Sequence, residues 1–195
     1  MAARSGMVAM ISSVRGMTNA GTADYTISGS AYWTDDQVQN VLDTHRVDFY
    51  EHELTPISAI ESGVVVYKTF RAPYRNLESG TPFVLADGLG AAAGTANYSA
   101  DYVNGIVTFT ANQGGTAWYL TARAYDLNAS AADIWRMKAA HASADFDFST
   151  DNHSIKGSQV SIQCLKMADY YEQQAMRASL KTPGGNNILV ERSDT

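Results

Sequence analysis

Two different spacings of apolar residues divide this chain into elements. Between residues 3 and 17, Met7, Met10, Ile11 and Val14 recur at helical spacing and predict a short amphipathic helix. Gly16 and the polar run 18–22 are expected to end it and to lead through a linker to Thr34. Thr34 followed by Gln37 fits a reciprocal capping box, and Asp35 and Asp36 place negative charge at the positive end of the helix dipole. Val38, Val41, Leu42 and His45 then form one stripe, with Arg46 at the C-terminal end. From Val47 to Tyr125 the pattern becomes strand-like. Residues 47–54 and 63–70 read as two strands of a hairpin joined around Pro56 to Ser62. Short apolar runs at Phe83–Leu85, Ile106–Thr110 and Ala117–Tyr125 follow. Turn signals at Asp87-Gly88, Asn104-Gly105 and Asn112 to Gly115 separate them. These runs predict an antiparallel meander.

Helical spacing returns after Tyr125. Leu127, Ala131, Ile134, Trp135 and Ala142 mark one stripe, and Val160, Cys164, Met167, Ala168, Tyr171 and Ala175 mark a second. Each helix is read as apolar on one side only. The loop between them, which contains Asp145, Asp147, Asp151 and His153, is short enough to favour antiparallel packing. Thr182, Pro183, Gly184 and Gly185 break the last helix, leaving a tail to Thr195. The fold class expected is α+β: a small antiparallel helical bundle with an inserted β-meander and an extended C-terminal tail. Its organisation is a single domain, with N-terminal helices over 1–46, a β-rich insertion over 47–125, a helical hairpin over 126–181 and a tail over 182–195.

Composition narrows the function classes. The 195 residues are 45% hydrophobic but only 17% charged, against about 25% in an ordinary domain. Sparse charge suits a chain that hides surface in neighbours. The net charge of −6 argues against a surface that wraps nucleic acid. It is compatible with lining a passage through which nucleic acid slides. Cys164 is the only cysteine, so no intrachain disulfide forms, and its place on an apolar stripe reads as a buried thiol. The apolar stretch Met7 to Ile11 is too short for a signal-peptide core or a membrane span, so assembly in a cytoplasm is expected.

Candidate chemistry is thin. The glycines of the segment 87–94 follow a strand, but the continuation leads into another hairpin and not into the helix that a dinucleotide site requires. His141 and His153 flank the loop aspartates without any zinc or EF-hand spacing, and His45 and His52 stand apart. Glu51 and Glu53 share a strand face, as many surface pairs do. No nucleophile elbow, phosphate loop or metalloprotease helix is present. No enzymatic activity, metal or cofactor is expected. Lys68, Arg71 and Arg75, interleaved with Tyr67, Phe70 and Tyr74, read as a subunit interface rich in Arg and Tyr. Trp118, Tyr119 and Tyr125 fit core or interface, and Trp135 fits core. In the tail, Ile188, Leu189 and Val190, with Arg192 beyond, alternate enough to add a strand to an adjacent protein.

The helix from Trp33 to Arg46 and the late run from Phe146 through Gln159 into Cys164 to Tyr171 resemble the head–tail connector (adaptor) proteins of tailed bacteriophages. The resemblance spans roughly residues 32–55 and 117–178; the long β insertion departs from the plainest members. It implies a structural virion protein of the neck, in a closed ring of about twelve copies. The ring would sit below the portal protein, continue the DNA channel without sequence-specific binding, and meet a head-completion or tail-proximal neck protein. No membrane partner is implied. A different class of function is a binding module whose β insertion recognises a carbohydrate or a protein through its aromatics. A third is a small metal-dependent enzyme built on the Asp147 and His153 loop.

Overall fold

The structure, a computed structural model, describes residues 3–22, 24–27, 29–143, 148–150, 153–155 and 157–177. Its element order is helix, hairpin, helix, seven strands, helix, hairpin, helix. The fold is α+β, with antiparallel sheets between the helix that ends at Thr44 and the one that begins at Leu127, as the two spacings predict.

A turn of 3-10 helix over Ser5–Met7 leads into α1, Val8–Thr18. The predicted stripe is the buried one: Met7, Met10, Ile11 and Val14 all enter the core. The helix does not stop at Gly16. It continues to Thr18 and ends where Asn19 takes a left-handed conformation, its N–H returning to the Arg15 carbonyl. The expected linker contains a small hairpin, β1 (Tyr25–Ile27) paired with β2 (Ser30–Tyr32). Tyr25 stacks on Tyr32 at 5.2 Å and on His141 at 4.0 Å between ring centroids. α2, Asp35–Thr44, begins with the capping box in both directions: Gln37 N–H donates to Thr34 Oγ1, and the Thr34 N–H donates to Gln37 Oε1.

Seven strands follow: β3 (Arg46–Glu53), β4 (Thr55–Glu61), β5 (Val64–Arg71), β6 (Val84–Asp87), β7 (Tyr98–Asp101), β8 (Ile106–Phe109) and β9 (Trp118–Tyr125). They form a three-stranded sheet in the order β3-β9-β6 and a four-stranded sheet in the order β4-β5-β8-β7. The expected hairpin of 47–54 with 63–70 is not the observed pairing. The segment taken as its loop is itself a strand: β4 pairs with β5, while β3 crosses to the distant β9. Pro56 sits in β4, the edge strand of its sheet, where a missing N–H costs no ladder bond. The Asn104-Gly105 signal does mark the β7–β8 turn. Gly105 has φ +65°, and a Cβ there would meet the Tyr74 carbonyl oxygen at 2.2 Å.

α3, Leu127–Ser143, starts where the Asp126 carboxylate accepts from the Asn128 and Ala129 N–H groups. The joining loop contains a short ladder of β10 (Phe148–Thr150) with β11 (His153–Ile155). α4, Gly157–Arg177, lies antiparallel along α3: Ser161 Oγ donates to the Ala139 carbonyl near the loop, and Arg136 reaches Glu172 further along.

Two cores result. One gathers α1, α2, α3 and the end of β9 around Trp33, Leu42, Tyr125 and Ile134. The other lies between the sheets around Phe70, Leu85, Phe109 and Leu120. Neither includes α4, which buries only Cys164 and Ala168 fully.

Candidate interaction surface

The junction of the two cores is held by a charged cluster. Glu78 is 1% exposed. Its carboxylate accepts from the Tyr125 hydroxyl at 2.6 Å and from Arg4 Nε at 2.8 Å, with Arg123 at 3.6 Å. Arg4 forks onto Asp43 at 2.6 and 3.0 Å and also donates to the Tyr125 oxygen. Its pKa rises further above the usual value through the hydrogen bond to Asp43, against the opposing effect of burial, with Glu78 adding to the rise. Burial, followed by the hydrogen bond to Glu78, pushes the Tyr125 hydroxyl well above the usual phenol range. The cluster binds the N-terminal segment to α2, to the 72–79 segment and to β9. Each carboxylate has a cation or hydroxyl partner, so it is built as a clamp. Sequence reading misses it because its members are 121 residues apart at the extremes and share no motif.

The basic and aromatic residues predicted as an interface are divided by strand geometry. Phe70 is a core residue, 1% exposed, edge-on to Phe109. It presents no surface, which corrects its place in the expected interface. Lys68 pairs with Glu61 at 2.6 Å, and the register shift opposite Ile57–Ala59 sets a bulge at Tyr67 and Lys68, with Tyr67 packed against the same core as Phe70. Tyr74 tilts against Phe49 at 5.1 Å, and Arg75 is half-buried with no hydrogen-bond partner at Nε among the described residues. The aromatics of this group, Tyr67, Phe70 and Tyr74, are thus turned towards the sheet core. Ile188, Leu189, Val190 and Arg192 lie outside the described residues.

The exposed apolar surface is elsewhere. β8 supports β5 only at Thr69 to Arg71, so the distal part of the β4–β5 hairpin projects beyond its sheet. Ser62 and Gly63 both have positive φ and close the hairpin tip. Ile60 is 76% exposed, and Val64 and Val65 are also exposed. This arm carries aliphatic side chains into solvent. The second such surface is α4, where Val160, Ile162, Leu165, Met167, Tyr170 and Met176 are all exposed. The expectation that this helix is apolar on one side only is overturned, and Val160 and Met167 lie off the buried seam. α3 also departs from that expectation. Ile134 faces α1 and α2, while Ala132 and Ala139 are buried outside the predicted stripe.

Sites for chemistry do not assemble among the described residues. His45 Nε2 lies 2.7 Å from Asp133 Oδ2, next to Arg136 and Glu172, in a cleft of about 290 Å³ between the end of α2 and α3–α4. His45, Asp133, Arg136 and Glu172 are paired with one another, and no serine, threonine or cysteine nucleophile lines the cleft. Burial pushes the Cys164 thiol up, towards its protonated form, despite the opposing charge of Lys138. No group of three His, Cys, Asp or Glu side chains among the described residues is arranged to hold a metal ion. Asp145, Asp147 and Asp151 lie outside those residues. After β6, Asp87 Oδ1 accepts from the N–H groups of Leu89 and Ala91, so the glycine segment folds as a tight turn without a helix behind it. A register shift between Phe49 and His52 puts a bulge at Tyr50 and Glu51, with Glu51 at φ +45°, and breaks the simple alternation expected there. Among the described residues, no helix is long and apolar enough to cross a membrane.

Comparison with protein-family models, with curated proteins and with solved structures found no match.

Proposed function

We propose that this chain is a structural subunit of a phage neck: a head–tail connector that assembles into a ring below the portal and continues the DNA channel towards the tail. The observation that carries this reading is the distribution of exposed apolar surface. It concentrates on two separate elements, the β4–β5 arm and α4, with Val8, Tyr50, Val84, Leu89, Val103 and Met137 exposed singly elsewhere, and no cleft among the described residues gathers reactive groups. A monomer gains nothing from aliphatic side chains held in water on an extended arm and along a 21-residue helix. A subunit covered by neighbours does. The resemblance of Trp33 to Arg46 and of the segment 146–171 to connector proteins supplies the kind of assembly. The capped helix of that resemblance is formed as the sequence predicts, and the low charge of the chain suits burial among copies.

The test is to mix the full chain with the portal protein encoded beside it and to separate the products by size. The proposal predicts a complex in which several copies of this chain travel with each portal ring. A chain that elutes as a monomer at every ratio would overturn it and favour a binding module built on the β insertion.

A further inference from the structure

α4 packs on α3 along one face, and the apolar side chains of the two flanking faces are exposed among the described residues. Ser161, Cys164, Ala168, Tyr171 and Ala175, spaced by three and four residues, form the seam on α3. On one side of that seam runs Ile162, Leu165, Asp169, Glu172 and Met176. On the other runs Val160, Gln163, Met167, Tyr170 and Gln174. Each flank repeats at the same helical spacing, and each exposes its apolar members. The outermost ridge is polar: Gln159, Lys166 and Gln173. A helix that exposes three apolar side chains on each side of its buried seam is built to be covered on both sides.

We infer that the two flanks of α4 form the two halves of a head-to-tail contact between copies of this chain, one flank of each copy seating against the opposite flank of the next. This rests on the ring reading above and names the surface that closes the ring. Charge favours a second copy as the occupant. The Val160–Gln174 flank carries no charge at all. On the opposite flank, Glu172 is already neutralised by Arg136, leaving Asp169 at the margin towards the outer ridge. Joining the two flanks therefore buries no like charges. Area points the same way. A helix of 21 residues is about 31 Å long, so a flank roughly 10 Å wide offers about 300 Å². A stable pair needs about 800 Å² on each partner. One such contact holds two copies weakly, and a single dimer contact leaves a second flank in water. A cyclic arrangement covers both flanks of every copy with one repeated interface and closes without a free end.

The experiment is sedimentation velocity of the full chain, alone and mixed with the portal protein, for the wild type and three variants. Leu165→Gln and Met167→Gln alter one flank each; Leu89→Gln, on the exposed turn after β6, is the control. Each flank variant is expected to raise the concentration at which the chain assembles at least tenfold, while the control assembles as wild type does. The thermal midpoints should match, because all three side chains are exposed in the single chain. If both flank variants assemble like the wild type, this inference is overturned and the ring reading stands. If they still form rings but lose the portal, the flanks belong to the portal and the inference is likewise overturned. A wild type that stays monomeric in both samples removes the ring and the interface together. Should either Gln variant lower the thermal midpoint, Tyr170→Ser and Ile162→Ser repeat the test on the same flanks.

Discussion

Glu78 and its partners show how single side chains hold two cores together. A carboxylate at 1% exposure is tolerated because a tyrosine hydroxyl and a guanidinium both donate to it. Glu78→Ala removes the acceptor, leaving the Tyr125 O–H with only the 3.5 Å contact to Asp43 and the Arg4 Nε–H without its partner. The expected loss is about 3 kcal/mol, read from urea unfolding followed by tryptophan fluorescence; a loss below about 0.5 kcal/mol would mean the cluster is not structural. Asp101 makes a second, pH-dependent prediction. Its carboxylate accepts from the side chain and N–H of Asn104 and from the N–H of Val103, and these bonds hold its pKa below the usual range. The folded value is depressed, so its contribution to the β7–β8 turn is complete above the ordinary carboxylate value of about 3.9. It is lost as pH falls through the lower folded value. An NMR titration of the Val103 and Asn104 amides should show a midpoint below that of a free aspartate; a midpoint at the ordinary value would contradict the turn geometry.

At the scale of elements, what can be read from the chain depends on how local the determining physics is. α2 is legible because its cap, dipole charges and apolar stripe are all written within a dozen residues. Thr34→Ala is expected to cost about 1 kcal/mol in thermal or urea unfolding, and an unchanged midpoint would show the cap to be idle. α1 is equally legible in its stripe and in the polar run 18–22 that ends it, where Asn19 rather than Gly16 takes the left-handed cap. Strand pairing is not local. β3 and β9 are joined by burial of Phe49, Leu120 and Ala122 in one core, a partnership no spacing announces. β4 escapes detection because Pro56 and a solvent-facing run of residues carry no alternation when most of both faces is exposed. The two flanks of α4 are hidden for a related reason: a stripe search finds the strongest face and stops. The β4–β5 arm carries its own prediction. Ile60→Ser and Val64→Ser should leave the unfolding free energy within about 0.5 kcal/mol, since neither side chain is packed within the chain, and should weaken assembly if the arm contacts a neighbour.

The whole molecule has a helical core and a sheet core locked by the Arg4–Glu78–Tyr125 clamp, with two apolar elements projecting from them. Nothing in the described geometry concentrates nucleophile, base and oxyanion donors in one cleft, and the polar groups of the α2–α3–α4 cleft are paired with one another. The surface is where the fold departs most from what an isolated domain requires, and the proposed role in a ring accounts for that departure. The interface expected on β5 rests on residue type, Arg and Tyr, and residue type does not announce that Phe70 is buried in the sheet core. The measurement that tests the central claim most directly is particle imaging of the full chain bound to its portal. A ring of copies seated coaxially on the portal, each with α4 against its neighbours, is the predicted result. Portal rings bare of this chain, or single copies attached without contact to one another, would contradict it.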